Sequence, residues 1–160
     1  MYFLLAWLHA VVTERLRYAP LGWSKAFEFN EADLRCGLET VDHWIDTLAA
    51  GRSNIPPEKI PWIALRTLLS RTVYGGRIDN PYDQRLLESF IDHLFVPRSF
   101  EEGFELSLAT HLPAPEGRSR SDFLQWLNRS LPDNESPAWL GLSDNAERLL
   151  MSVKGITLIR

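Results

Sequence analysis

Prolines and glycines divide this 160-residue chain into short segments, and that punctuation constrains its fold more than any other feature of the sequence. Between the breaks, apolar residues recur every three or four positions, which is typical of amphipathic helices. No convincing run of alternating apolar and polar residues indicates a half-buried strand. The sequence therefore predicts an all-α fold of about six helices connected by long ordered loops.

The first predicted helix is the apolar run from Met1 to Val12. It is apolar nearly all round, which suits a helix that is covered on several sides. Twelve helical residues extend about 18 Å, too short for a bilayer core of about 30 Å. No basic segment precedes the run and no small-residue cleavage site follows it, so we predict neither a membrane insertion nor a secretory signal. A buried-type helix here indicates a piece of a larger protein.

The second helix has clear start and stop signals. Asn30 is expected to cap it, with Asp33 supplying the acid of a capping box, and Gly51 is expected to end it. Its expected inward stripe is Leu34, Leu38, Val41, Ile45 and Leu48. The segment 51–61 contains three prolines and is predicted to be a loop.

Two further helices follow. Pro61 suits the first position of a helix that runs to Val73, and Gly75-Gly76 ends it. Asn80-Pro81 then starts a helix that Pro97 stops. The expected inward residues of this fourth helix are Tyr82, Leu86, Leu87, Phe90, Ile91 and Leu94.

The last third of the chain is less regular. The stretch 98–118 favours no single structure. Ser121 is expected to cap a fifth helix that ends at Pro132, and Ser143 to cap a sixth. The expected inward residues are Phe123, Leu124, Trp126 and Leu127 in the fifth helix and Leu149, Leu150 and Val153 in the sixth.

Composition excludes several classes of function. The formal net charge of −4 counts against nucleic-acid binding and an anionic membrane surface, both of which need a basic patch. The single cysteine, Cys36, excludes an internal disulfide and a zinc site built from cysteines. The four histidines lack metal-ligand spacing, and no G-x-x-x-x-G-K-[ST] phosphate loop occurs. We therefore expect no catalytic residue, no metal and no cofactor in this chain by itself.

The segment Tyr74-Gly75-Gly76-Arg77 places an arginine directly after a tight turn. A guanidinium held there could reach an anion such as a phosphate, because its planar fork suits phosphate and carboxylate. Alternatively, the glycines turn the chain and Arg77 pairs with Asp79 or Asp83, which is the reading that spacing alone favours. Six tryptophans suit either a core or buried contact with a partner.

A series of motifs in fixed order resembles one block of the dynein heavy chain. The motifs are Glu14–Tyr18, Pro20–Trp23, Phe27–Asn30, Ile60–Trp62, Tyr74–Arg77, Asp83–Leu87, Ser136–Leu142 and Asp144–Glu147. Each is weak alone, but their succession is specific. The residues singled out as structural are Pro20, Gly22, Trp23, Tyr74, Gly75, Gly76, Arg77, Pro137 and Gly141. The block resembles the helical lid, or small subdomain, of the sixth AAA+ module, and Trp23-Ser24-Lys25 with the loop 51–61 resembles the cytoplasmic type.

The resemblance implies a domain division and a function. Residues 1–17 would be the end of the preceding AAA+ large subdomain, and residues 18–160 the lid. The implied role is a non-catalytic structural segment of a motor that drives ATP-dependent, minus-end-directed movement on microtubules. ATP and Mg would bind elsewhere in the parent motor, with Arg77 the one candidate nucleotide contact here.

The implied partners are the remainder of the heavy chain, namely the adjacent AAA+ modules and the C-terminal region. Microtubules would be reached only through the whole motor, and the implied location is the cytoplasmic, cytoskeleton-associated dynein complex. Two alternatives stay open. One is a free-standing helical protein-interaction module derived from a dynein gene. The other is an active nucleotide-binding enzyme, which the missing phosphate loop disfavours.

Overall fold

The computed structural model describes residues 1–51, 55–107, 109–117, 119–131 and 136–158 of the chain. Within these ranges there are six α-helices and one small antiparallel sheet of two strands. The helices are α1 Tyr2–Glu14, α2 Glu31–Ala49, α3 Trp62–Leu68, α4 Pro81–Leu94, α5 Arg120–Ser130 and α6 Ala146–Leu158. The strands are β1 Glu105–Ser107 and β2 Leu112–Pro113. The prediction of a mostly helical fold is confirmed, and the sheet lies in the stretch whose sequence favoured no single structure.

The chain divides into two compact units, Met1–Phe100 and Glu101–Arg160. In the first unit, α1 packs against α2 and α4. This position explains part of the apolar character of α1, because one face is covered, whereas Tyr2, Ala6 and Ala10 are exposed. Its buried residues are Leu4, Leu5, Leu8, Val11 and Val12. No described helix is both long enough and apolar enough to cross a bilayer.

Helix α2 begins as predicted, and its buried face only partly matches the expected one: Val41 is buried as expected. The Asn30 side chain accepts a hydrogen bond from the N–H of Ala32, and Asn30 and Asp33 form the predicted capping box. The expected stripe was wrong in part: Leu48 is 39% exposed, and Gly37 is buried instead. A Cβ at Gly37 would lie 2.9 Å from Cδ2 of Leu5. The close approach of α1 to this glycine therefore decides which face of α2 is buried.

The ends of α2 and α3 differ slightly from the prediction. Helix α2 stops at Ala49, and both Ala50 (φ 44°) and Gly51 (φ 80°) have left-handed backbone conformations. Pro61 precedes α3 as its N-cap and is not its first helical residue. Helix α3 continues into a π-helical turn, 69–73, which is followed by a 3-10 turn, 75–77.

Helix α4 starts at the predicted cap. The Asn80 side chain accepts hydrogen bonds from the N–H groups of Tyr82 (2.8 Å) and Asp83 (3.4 Å). Leu87, Ile91 and Leu94 face the core as expected. The inward placement of Tyr82 was wrong, because it is 77% exposed and Asp83 takes the buried position of the first turn.

The second unit contains the sheet, α5 and α6. Helix α5 is capped by Ser119, not by the predicted Ser121, because Ser119 and Asp122 form a capping box at the right spacing. Leu124 is 48% exposed, so its inward placement was wrong. Pro132, the predicted end of α5, lies outside the described residues.

Helix α6 also begins and faces differently from the prediction. It starts at Ala146, later than a Ser143 cap would place it. Leu150 is buried as expected, but Leu149 and Val153 are exposed. The backbone oxygen of Ser143 accepts a hydrogen bond from the N–H of Ala146 (2.9 Å) at the start of this helix.

Candidate functional site

The turn before α4 is built on a close approach that only glycine allows. A Cβ at Gly75 would lie 1.6 Å from the backbone oxygen of Ser70 in the π-helical turn. The same oxygen accepts a hydrogen bond from Nε2 of Gln84 on α4 (2.6 Å). Gly76 is different, since a Cβ there would meet only the Arg71 oxygen at 3.7 Å. The two glycines therefore have different roles. Gly75 allows the backbone to pack against Ser70, whereas a side chain at Gly76 would meet no steric obstacle.

Arg77 leaves this turn toward α2. Its Nε donates to Oδ1 of Asp33 (2.9 Å), and its Nη2 lies 2.8 Å from the same oxygen. The other carboxylate oxygen of Asp33 accepts the backbone N–H of Asn30 (2.9 Å). Asp33 is buried, whereas the Arg77 side chain is 34% exposed. The ion pair thus joins the 3-10 turn to the N-terminus of α2.

The predicted local partners of Arg77 were wrong. Asp79 pairs with Lys25. Oδ2 of Asp83 accepts hydrogen bonds from the hydroxyl and the backbone N–H of Ser24, the latter at 3.0 Å. Both carboxylates are therefore used to hold the segment after Trp23 against the start of α4, and Arg77 reaches a residue far away in sequence.

Tyr74, directly before the glycines, is fully buried. Its hydroxyl lies 3.2 Å from Nδ1 of His9 on α1, and its ring centroid is 6.0 Å from that of Phe29. Burial raises the pKa of Tyr74 and lowers the pKa of His9, although the charges of Asp33 and Glu31 partly oppose the second shift. The pair therefore stays uncharged at neutral pH and joins α1 to the turn.

A second centre forms around Arg15, which is 2% exposed. Its Nε and Nη2 donate to the backbone oxygen of Gly22 at 3.0 Å and 2.7 Å. The guanidinium carbon lies 5.4 Å from the ring centroid of Trp23 and 5.2 Å from that of Phe90. Burial lowers the pKa of Arg15 to about 10, with the charge of Asp83 opposing the shift. A buried cation is thus held by a carbonyl and two aromatic rings.

Gly22 closes this centre. A Cβ there would lie 2.0 Å from the backbone oxygen of Arg15, so the loop can approach the helix end only with glycine. Trp23 is 1% exposed, and its Nε1 donates to the backbone oxygen of Val12 (2.9 Å). Phe27 and Phe29 surround its ring at centroid distances of 6.0 Å and 5.6 Å. Trp23 is therefore a core residue, which agrees with one of the two interpretations of the tryptophans, core or contact with a partner.

The remaining predicted motif residues also lie at turns. The Ala19–Pro20 peptide bond is cis. Pro137 begins a 3-10 turn in the second unit, and Gly141 ends it in a left-handed conformation (φ 67°). The structure therefore brings Gly22, Trp23 and the residues 74–77 into one unit and places Pro137 and Gly141 in the other.

Sequence reasoning assigned no chemistry to Arg15 or to the carboxylate of Asp33 beyond its capping role. The available signal was an arginine just after an apolar helix and shortly before a glycine–tryptophan pair, a pattern suited to a stacked and carbonyl-bound guanidinium. Within the described residues, no group of three or more His, Cys, Asp or Glu side chains is placed to hold a metal ion. Cys36 is exposed.

Comparison with known proteins identifies the family. The model of the dynein heavy chain AAA lid domain matches residues 1–146. The chain belongs to this family. It is 53% identical to the cytoplasmic dynein heavy chain of Drosophila melanogaster, and 55% identical to that of Dictyostelium discoideum, over 99% of its length in both cases. It is 36% identical to the cytoplasmic dynein 2 heavy chain 1 of Chlamydomonas reinhardtii over 98% of its length.

The dynein lid predicted from the ordered motifs is therefore confirmed, and the cytoplasmic names of the relatives fit the predicted type. The chain spans only 3% to 4% of the length of these relatives, so it corresponds to a small segment of a dynein heavy chain. The predicted division at residue 17 and the assignment to the sixth module stay predictions. The same applies to a nucleotide contact of Arg77.

Proposed function

We propose that this lid is a non-catalytic structural segment at the sixth AAA+ module of a motor ring that drives ATP-dependent, minus-end-directed movement along microtubules. The observation that carries the proposal is the match of the lid family over residues 1–146. The near-complete alignment with cytoplasmic heavy chains supports it.

The internal contacts of the first unit support a structural role. Arg15 donates hydrogen bonds to the backbone oxygen of Gly22, and Arg77 forms an ion pair with Asp33. Together with Tyr74 and its contact to α1, these groups tie α1, α2 and the turn before α4 to one another. Densely packed elements move as a body, so the unit is suited to transmitting rotations between neighbouring parts of a ring.

The proposed partners and cofactors belong to the parent motor. ATP and Mg are bound by other modules, and this segment contacts the adjacent AAA+ modules and the C-terminal region. Microtubules are reached through the whole motor, which operates in the cytoplasm as part of the dynein complex. The cytoplasmic names of the relatives support this location.

The two alternatives are less well supported. A free-standing interaction module is not favoured, because 99% of the chain aligns with only 3% to 4% of dynein heavy chains. An independent nucleotide-binding enzyme would need Arg77 or another cation to meet phosphate, and Arg77 already pairs with a buried carboxylate. Titration with ATP and Mg tests this directly: we expect no saturable binding, and tight magnesium-dependent binding would overturn the structural assignment.

Association with the rest of the motor tests the proposal itself. The Dictyostelium motor, ended just before the matching segment, is mixed with this chain and analysed by co-elution and by microtubule-stimulated ATPase rate. We expect a complex with a higher rate than the shortened motor alone. The Gly76→Ala variant should behave as wild type, because its new methyl group meets only ordinary contact. A folded chain that elutes separately from the motor would contradict the proposal.

A further inference from the structure

The first unit contains an open apolar cavity that none of its described side chains fills. The cavity has a volume of about 240 Å³ and lies at the start of α1 and the end of α2. Its lining is almost entirely aliphatic or aromatic: Tyr2, Ile45, Ala49, Ile55, Ile60 and Phe100, together with Met1. We call this cavity the Ile45 pocket. Its volume suits one or two large apolar side chains, which is too small for a typical organic cofactor.

Exposed apolar surface surrounds the Ile45 pocket. Tyr2 and Phe100 are 49% and 48% exposed, although both are large aromatic residues. Phe100 lies against the buried Trp62, with ring centroids 5.9 Å apart, so it is held in place. An apolar hollow with a fixed aromatic wall is typical of a site for an anchor residue of a protein partner.

Charge distinguishes the two sides of the pocket. On the α2 side, Asp42 accepts a hydrogen bond from the Tyr2 hydroxyl. This bond, burial and the charges of Asp42 and Asp46 raise the pKa of Tyr2. Both carboxylates are exposed. Beside Ile60, another lining residue, the exposed Glu58 and Lys59 carry opposite charges, so only the α2 side carries unbalanced negative charge.

We infer that the Ile45 pocket binds a basic amphipathic helix, with one large apolar residue in the pocket and Lys or Arg side chains against Asp42 and Asp46. Apolar burial would supply the affinity, and the carboxylates would fix the orientation. The occupant is a segment of the same heavy chain outside these residues, an assignment that rests on the proposed function. This chain spans only 3% to 4% of the length of its relatives, so most of the heavy chain lies outside these residues. A segment of the same polypeptide is covalently tethered to the pocket, which raises its effective concentration there above that of a separate protein.

Tiled peptides test the inference. Overlapping 20-residue peptides that cover the rest of the Dictyostelium heavy chain are screened for binding to this chain and to two variants. Ala49→Trp fills the pocket, and Ile63→Asp changes an exposed apolar residue that does not line it. We expect a small set of peptides to bind wild type and Ile63→Asp equally and Ala49→Trp at least about tenfold more weakly. These peptides should combine helix-period apolar residues with net positive charge.

Charge reversal provides a second variant that leaves the pocket volume unchanged. Asp46→Lys should weaken the same peptides about two- to fivefold at low salt, and the difference should shrink at 0.5 M salt. Glu39→Lys, also an exposed carboxylate of α2, is the matched control and should have a smaller effect. The inference fails if no peptide distinguishes Ala49→Trp from Ile63→Asp, or if the peptides that do are acidic and unaffected by Asp46→Lys.

Co-elution with the shortened motor separates this inference from the function on which it rests. If wild type and Ala49→Trp both join the motor with equal affinity, the Ile45 pocket is not the docking site and the lid assignment stands. If folded wild type does not join the motor, the lid assignment itself fails. If wild type joins and Ala49→Trp does not, while its thermal midpoint is unchanged, both are supported.

Discussion

Replacing Gly75 with alanine should destabilise the first unit strongly, whereas the same change at Gly76 should not. The new methyl group at Gly75 would lie 1.6 Å from the Ser70 oxygen and 2.5 Å from its carbonyl carbon, and such contacts must open to at least 3.0 Å. Both atoms belong to the backbone of the π-helical turn, so no side-chain rotation relieves the clash. The π-helical turn and the backbone at Gly75 therefore have to move apart.

The magnitude follows from two losses. Forcing extra volume into a packed position costs about 1–3 kcal/mol, and a rigid backbone neighbour favours the upper part of that range. Movement of Ser70 also lengthens the 2.6 Å hydrogen bond from Gln84, which is worth about 1 kcal/mol. We therefore expect the free energy of unfolding to fall by about 3–4 kcal/mol, a large share of the roughly 5–15 kcal/mol of a typical domain.

Urea unfolding at 25 °C measures the difference, with helical circular dichroism and tryptophan fluorescence followed in parallel. Gly76→Ala is the matched control, since its methyl group meets only the Arg71 oxygen at 3.7 Å. Its free energy of unfolding should stay equal or rise by up to about 1 kcal/mol, because alanine restricts the unfolded chain. If the two variants unfold within about 0.5 kcal/mol of each other, the proposed steric role of Gly75 is refuted.

Three further predictions concern the contacts around this turn. Gly22→Ala places a Cβ 2.0 Å from the Arg15 oxygen and should cost about 2–3 kcal/mol in urea unfolding; an unchanged midpoint would contradict the close approach. Asp33→Asn weakens both the Arg77 ion pair and the capping box, and should lower the free energy of unfolding by about 1–3 kcal/mol. Arg77→Lys should lower it by less than half as much. Equal stability of Asp33→Asn and wild type would count against the pairing. Burial lowers the pKa of His9, so the unfolded state binds more protons than the folded state below a pH of about 6.5. The free energy of unfolding should therefore be highest above this pH and fall as the pH decreases below it. His9→Gln should reduce this dependence of the free energy of unfolding on pH between about 7.5 and 5, and an unchanged dependence would refute the assignment.

Local signals predicted the helices well. The capping boxes and proline positions specified the starts of α2 and α4, because a side chain that bonds its own backbone acts over only a few residues. The inward faces were less predictable. Tyr82 was expected inside from its apolar character, but the hydrogen bonds between Asp83 and Ser24 determine which residue of that turn is buried.

The candidate site shows the same limit. The glycine turn and the emergence of Arg77 from it are local features, and the sequence predicted them. The partner of Arg77 is Asp33, which is brought close only when α2 packs near the π-helical turn. Asp79 and Asp83 were the expected partners because they are close to Arg77 in sequence, but in the fold they bind Lys25 and Ser24 instead. Ser119 rather than Ser121 caps α5 for a local reason, namely its spacing to Asp122.

The most direct test of the account replaces the matching segment of the Dictyostelium heavy chain, 55% identical over 159 residues, with this chain. Microtubule-stimulated ATPase rate and the direction of filament gliding are then measured on the chimeric motor. The account predicts an intact motor with minus-end-directed movement, a wild-type rate for a Gly76→Ala chimera, and a reduced rate or reduced stability for Gly75→Ala. A chimera that folds and binds microtubules but lacks stimulated turnover would contradict the claim that this chain is a structural lid of the motor ring.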